Sequence, residues 1–159
     1  MSQAIGLGRG APAAGEGEPA ATVSELDARG TPSPQQVKKR VLVVDDIPVE
    51  RELLRLILED GGYEVDEAQH GSDAITQMGD PLPDLVMTDL MMPVMTGQQL
   101  VQHLRSDCRT ALVPILVLSA NPNAAKIATQ ADAVIGKPFE RANLLATVNA
   151  LVLRANREC

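Results

Sequence analysis

Five side chains stand where an apolar, strand-like run stops: Asp45 and Asp46 after Val41-Leu42-Val43-Val44, Asp89 after Leu85-Val86-Met87-Thr88, Ser119 after Ile115-Leu116-Val117-Leu118, and Lys137 after Ala133-Val134-Ile135-Gly136. Runs of this kind read as strands buried on both faces, and the residue that follows leaves the sheet at its edge. Three carboxylates brought to neighbouring strand ends raise one another's pKa and call for a cation. A set of oxygen donors suits Mg2+, which keeps several waters and accepts one or two carboxylates together with a phosphate oxygen. The expected ligands are Asp46, Asp89 and the backbone carbonyl of Met91, with Asp45 acting directly or through a water. Three carboxylates, one lysine and one divalent cation balance to zero, a setting ready for a dianionic phosphoryl group. Asp89 is then the nucleophile and phosphoacceptor. Lys137 and the cation neutralise the phosphoryl oxygens, and Ser119 donates a hydrogen bond to one of them.

Taken singly, each residue has a plain explanation. An Asp-Asp pair often opens a solvated turn, a serine after a strand often caps a helix, and Gly136-Lys137-Pro138 is an ordinary turn sequence. Four such features at successive strand ends favour the joint reading.

These residues are positioned by an alternating chain. Val41–Val44 is a first strand. Pro48 suits the opening turn of a helix, Val49, Leu53, Leu56 and Ile57 follow at helical spacing, and Gly61-Gly62 ends it. Tyr63–Ala68 is a short second strand. A second helix opens at Gly71-Ser72, with Ser72 a candidate cap and Ala74, Ile75 and Met78 facing inward. Leu85–Thr88 is the third strand, and Leu100, Val101 and Leu104 mark the third helix. Pro114–Leu118 is the fourth strand, residues 122–130 give a weak fourth helix, and Ala133–Ile135 is the fifth strand. A last helix over 140–155 carries the stripe Leu144, Leu145, Val148, Leu151 and Val152. Strict alternation predicts an α/β fold, a parallel sheet with helices on both faces, whose ligand site lies beyond the carboxyl ends of the strands. It also predicts charge at strand ends and none inside strands.

Composition narrows the class. The chain has 159 residues, one Tyr and one Phe, so its core is aliphatic. A net charge of -7 lacks the basic surplus that holds nucleic acid directly. No apolar run is long enough to cross a bilayer, and the N-terminus shows no export signal, so the expected location is cytoplasmic. Residues 1–38, rich in Ala, Gly and Pro, read as a disordered tail, and 39–159 as the folded domain. Cys108 and Cys159 make no disulfide framework. His70 and His103 read as surface residues without a role.

Residues 40–153 resemble the receiver domain of bacterial two-component response regulators. The resemblance rests on Val41-Leu42-Val43-Val44-Asp45-Asp46, on Pro83-Asp84-Leu85-Val86-Met87-Thr88-Asp89-Leu90-Met91-Met92-Pro93-Val94-Met95-Thr96-Gly97, on Pro114-Ile115-Leu116-Val117-Leu118-Ser119-Ala120 and on Gly136-Lys137-Pro138-Phe139. It implies a flavodoxin-like, doubly wound sheet of five parallel strands in order 2-1-3-4-5 with five helices. It implies Mg2+-dependent transfer of phosphate from the phosphohistidine of a histidine kinase to Asp89, and a cis peptide before Pro138. Three departures stand out. Val134 occupies the place where most receivers carry an aromatic. Ser119 and Lys137 are 18 positions apart, about one helical turn fewer than usual, so the fourth helix is expected to be short or irregular. Gln130-Ala131 stands where a glycine usually precedes the fifth strand.

The expected function is a phosphoacceptor in a phosphorelay, of the stand-alone type, that is not an enzyme. It signals by docking to an unidentified downstream protein, without direct contact to nucleic acid or membrane. The alternative is a phosphorylation-independent adaptor with a non-standard output face, motivated by Val134 and the shortened fourth helix. A phosphatase with an aspartyl nucleophile is disfavoured, because such enzymes usually place an acid two residues after the nucleophile, and here that residue is Met91.

Overall fold

The structure is a computed structural model that describes residues 37–157. The expected tail lies outside the described residues apart from its last two positions.

Five strands, β1 (Arg40–Val44), β2 (Glu64–Ala68), β3 (Leu85–Asp89), β4 (Ile115–Ser119) and β5 (Ala133–Gly136), form one sheet in the order β2-β1-β3-β4-β5. Every pairing is parallel. Five helices connect or follow them among the described residues: α1 (Pro48–Asp60), α2 (Gly71–Gln77), α3 (Gly97–Ser106), α4 (Ala124–Ile127) and α5 (Arg141–Arg157). This is the doubly wound order that the resemblance to receiver domains implies.

Strand alternation divides the core into two layers. Side chains of successive strand residues point to opposite faces. Leu42, Val44, Val86, Ile115 and Val117 meet Ala74 of α2, Leu100, Val101 and Leu104 of α3, and Ala124 of α4. Val41, Val43, Leu85, Met87, Leu116 and Leu118 meet Leu54 and Leu58 of α1 and Leu144, Val148, Leu151 and Val152 of α5. Each fully buried Leu or Val contributes about 1.5–3 kcal/mol relative to exposure. The layers hold β1, β3 and β4 rigidly, and so fix their C-terminal ends.

The helix at α1 forms as expected, but a different stripe faces the sheet. Leu54 and Leu58 are buried, whereas Val49, Leu53 and Leu56 are half or more exposed. The helix carries two adjacent apolar stripes, and periodicity alone cannot choose between them. In the rotation adopted, Arg51 Nε and Arg55 Nε each lie 2.9 Å from a carboxylate oxygen of Glu67 on β2.

Charge is not confined to strand ends either. Asp66 and Glu67 lie inside β2. β2 is an edge strand, where both acids find arginines, Asp66 at 3.0 Å from Arg40 Nη2. The cap of α2 is His70 and not Ser72: His70 Nδ1 accepts the Asp73 amide at 3.2 Å, with Ser72 Oγ 3.0 Å away.

The weak fourth helix over 122–130 is reduced to the four residues of α4. Arg105 at the end of α3 supports the segment that follows. Its guanidinium donates to the carbonyls of Gln130, Ala111 and Val113 and pairs with Asp132 Oδ2 at 2.6 Å. Cys108 is an exposed free thiol, and Cys159 lies outside the described residues. Among the described residues no helix is long and apolar enough to cross a membrane.

Candidate functional site

The C-terminal ends of β1 and β3 bring Asp45, Asp46 and Asp89 together. Ligand-type oxygens of the three lie within 4.8 Å of one another. Asp45 is 1% exposed and held from both sides, its Oδ1 accepting the Ile47 amide at 2.9 Å and its backbone carbonyl accepting from Arg51 Nη1 at 2.7 Å. Asp89 is the last residue of β3, and its Oδ1 accepts the Leu90 amide at 2.9 Å. Asp45 Oδ2 and Asp46 Oδ1 are buried without any hydrogen-bond partner. Two such orphaned carboxylate oxygens beside a third acid are the donor set a divalent cation would satisfy.

Lys137 follows β5 and reaches across. Its ammonium is 3.5 Å from Asp89 Oδ1, 3.6 Å from Asp45 Oδ2 and 3.1 Å from Glu50 Oε1. The Lys137–Pro138 peptide is cis. Ser119 is buried at the end of β4, and its carbonyl accepts the Lys137 amide at 2.9 Å, which ties the last two strand ends together. Its hydroxyl oxygen accepts the Asn121 amide at 3.0 Å and makes no hydrogen bond to the acids. Met91, two residues past Asp89, has its side chain turned to solvent.

Burial raises the pKa of Asp45 above its ordinary value, against the opposing Ile47 amide and Lys137. Burial likewise raises Asp89, against Lys137 and the Leu90 amide. Burial pushes Lys137 down, but the Glu50 hydrogen bond and the charges of Asp89 and Asp45 leave its pKa raised.

Charging Asp45 and Asp89 in the fold therefore costs free energy, which the pairing with Lys137 offsets in part. A carboxyl whose pKa is raised in the fold favours folding below its ordinary value of 3.8, and loses that advantage as pH climbs through the raised value. Asp45→Asn keeps the Ile47 bond and removes the charge. It is expected to stabilise the metal-free protein by about 1–3 kcal/mol at neutral pH. The gap from wild type should close toward acid pH, as thermal unfolding in a chelator across a pH series would show. An equal or lower midpoint for the variant at neutral pH would refute this.

Gly97 and Val94 shape the loop after Asp89. The Gly97 amide donates to the Leu90 carbonyl at 2.8 Å, and Thr96 and Gln99 form a reciprocal cap that starts α3. Val94 has a φ of 70°, a conformation costly for a β-branched residue. On the other side of the pocket, Leu53, Ile57, Pro138 and Phe139 line a groove of about 560 Å3 that runs up to Glu50 and Lys137.

The profile of the response regulator receiver domain matches residues 41–149, the span that holds this pocket. The chain belongs to the receiver domain family. A receiver is a signalling domain, and several of its named relatives are response regulators. Over 120 residues the receiver is 33% identical to the phosphate regulon transcriptional regulatory protein PhoB of Escherichia coli, covering 73% of this chain and 52% of PhoB. It is 30% identical to Protein PilH of Pseudomonas aeruginosa, covering 71% of this chain and 97% of PilH. The chain thus spans about half the length of the regulators of the PhoB kind. Among solved structures, the response regulator TrrA of Thermotoga maritima in complex with Mg2+–BeF superposes with a TM-score of 0.66 at 33% identity, covering 71% of this chain and 98% of that one.

The receiver gathers Asp45, Asp46, Asp89 and Lys137 as expected, and sets Ser119 at the adjoining strand end. Glu50 and Arg51 were not foreseen. Their signal was available: the first turn of a helix that begins three residues after Asp45 packs back over the strand end it left. Glu50 also leaves the anticipated charge balance one unit more negative.

Proposed function

We propose that Asp89 accepts a phosphoryl group from the phosphohistidine of a histidine kinase, and that the phosphorylated receiver signals by docking to a protein partner in the cytoplasm. The observation that carries this reading is the pair of buried oxygens without a hydrogen bond among the described residues, Asp45 Oδ2 and Asp46 Oδ1, beside Asp89 and Lys137. Asp45, Asp46, Asp89 and the Met91 carbonyl would hold Mg2+, which when bound supplies positive charge for phosphoryl oxygens.

A carboxylate oxygen of Asp89 attacks phosphorus, the P–N bond of the donor breaks, and its electron pair returns to the imidazole. The Leu90 amide bonded to Asp89 Oδ1 fixes the carboxylate's orientation. Lys137 stays protonated and faces the charge that develops. Ser119 has its oxygen engaged by the Asn121 amide, so its own hydroxyl proton is free to donate to a phosphoryl oxygen. That donation pulls on the backbone leading into α4. The groove beside Lys137 adds apolar surface near the acceptor, which favours a protein donor over a small one.

With acetyl phosphate as a surrogate donor, intact-mass measurement is expected to show one added phosphoryl group in Mg2+ and none in a chelator. No mass gain in Mg2+ would sink the reading. The adaptor alternative draws on Val134, partly buried against the core with no hydroxyl and no large rotamer swing. It predicts partner binding of equal strength with and without the phosphoryl group.

A further inference from the structure

We infer that Glu50 is a positioning residue: it holds Lys137 in competition with Asp45 and Asp89, and so governs how firmly the pocket takes a divalent cation and how readily it admits a phosphoryl donor. The inference deepens the phosphoacceptor reading and rests on it for the donor.

Lys137 faces three carboxylates, and its shortest contact is the 3.1 Å hydrogen bond to Glu50 Oε1; Asp89 and Asp45 stand at 3.5 and 3.6 Å. Glu50 occupies the first turn of α1, a place set by Pro48 at the helix start. The nearby cation does not neutralise it, because Arg51 is committed to the Asp45 carbonyl and to Glu67. The three acids also differ in freedom. The Glu50 side chain is 36% exposed, against 1% for Asp45 and 12% for Asp89. Glu50 can turn into water at little cost, whereas the other two cannot.

Two consequences follow from that asymmetry. Glu50 draws the ammonium toward the rim, which leaves Asp45 Oδ2 and Asp46 Oδ1 open to a cation. Without Glu50, the lysine settles onto Asp45 and Asp89 and competes for the same oxygens. Glu50 also places a negative charge at the rim that an anionic donor must approach, and it is the partner Lys137 can release when phosphoryl oxygens arrive.

The near-isosteric variant Glu50→Gln tests both consequences. In titration calorimetry with Mg2+, the variant's dissociation constant is expected to rise about three- to fivefold, the weight of a partly exposed ion pair. With acetyl phosphate at saturating Mg2+, its half-saturating donor concentration is expected to fall by about the same factor, with little change in maximal rate. Both differences should shrink in about 0.5 M salt, where exposed charges are screened, and Glu50→Asp should return the values toward wild type. A purely structural role would leave no such salt dependence. Mg2+ affinity that is unchanged or tighter in Glu50→Gln, or no measurable binding by wild type, overturns the inference. Absence of a phosphoryl adduct on wild type overturns the phosphoacceptor reading instead, and the Mg2+ comparison still decides the role of Glu50.

Discussion

Asp89→Ala is expected to lose phosphoryl acceptance completely, with no adduct by intact mass under conditions that modify the wild type. The loss is absolute because the proposed acceptor atom itself is removed. Asp45 is 1% exposed and pinned at Oδ1 by the Ile47 amide, so it cannot align with an incoming phosphorus. The same position can be marked positively. Borohydride cleaves an acyl phosphate and reduces the carboxyl carbon to an alcohol, so the wild-type adduct should yield homoserine at position 89 in peptide mapping. An adduct on the alanine variant, or homoserine at position 45 or 46, would move the acceptor elsewhere.

Gly97→Ala is expected to be the most damaging single methyl in the pocket. A Cβ there would sit 2.2 Å from the Asp89 carbonyl oxygen and 2.8 Å from Leu90 Cα, both backbone atoms. Flexible side chains could give way, but the end of β3 cannot without breaking the Gly97 amide bond to Leu90. A loss of about 3 kcal/mol follows, or a fall of roughly 10 °C in unfolding midpoint. Phosphorylation should slow as well, since the displaced atoms belong to the backbone of Asp89, the proposed acceptor. Gly79→Ala is the matched control, because a Cβ there meets nothing nearer than 3.8 Å. A Gly97→Ala midpoint within a degree or two of the control would show that the loop relaxes freely.

The alternation of strands and helices and the convergence of these polar residues were legible in the sequence for one reason, while the strand order came from the resemblance to receiver domains. Parallel strands buried on both faces must be apolar throughout, so the polar residues that end them are conspicuous. Asp45, Asp89, Ser119 and Lys137 were all found this way. The failures came where a choice depended on partners far away in the chain. The rotation of α1 buries Leu54 and Leu58 and brings Arg51 and Arg55 onto Glu67 of β2. Asp66 and Glu67 sit inside β2 because arginines and an edge position receive them. Glu50 carries no local signal of its role, because its partner Lys137 lies 87 positions away. The positive φ of Val94 has no signature in a residue type that ordinarily avoids that region.

The four residues of α4 set the mechanical range of anything that begins at Ser119. A helix of this length is only ~6 Å long. It has one turn of internal bonds, and Arg105 clasps the chain three residues beyond its end. A rod so short has almost no lever arm. Movement of the segment after β4 is spent between Asn121 and Gln130, instead of being carried as a rigid displacement to the far end of the sheet. Whatever reads this receiver through that edge must therefore touch it close to the pocket.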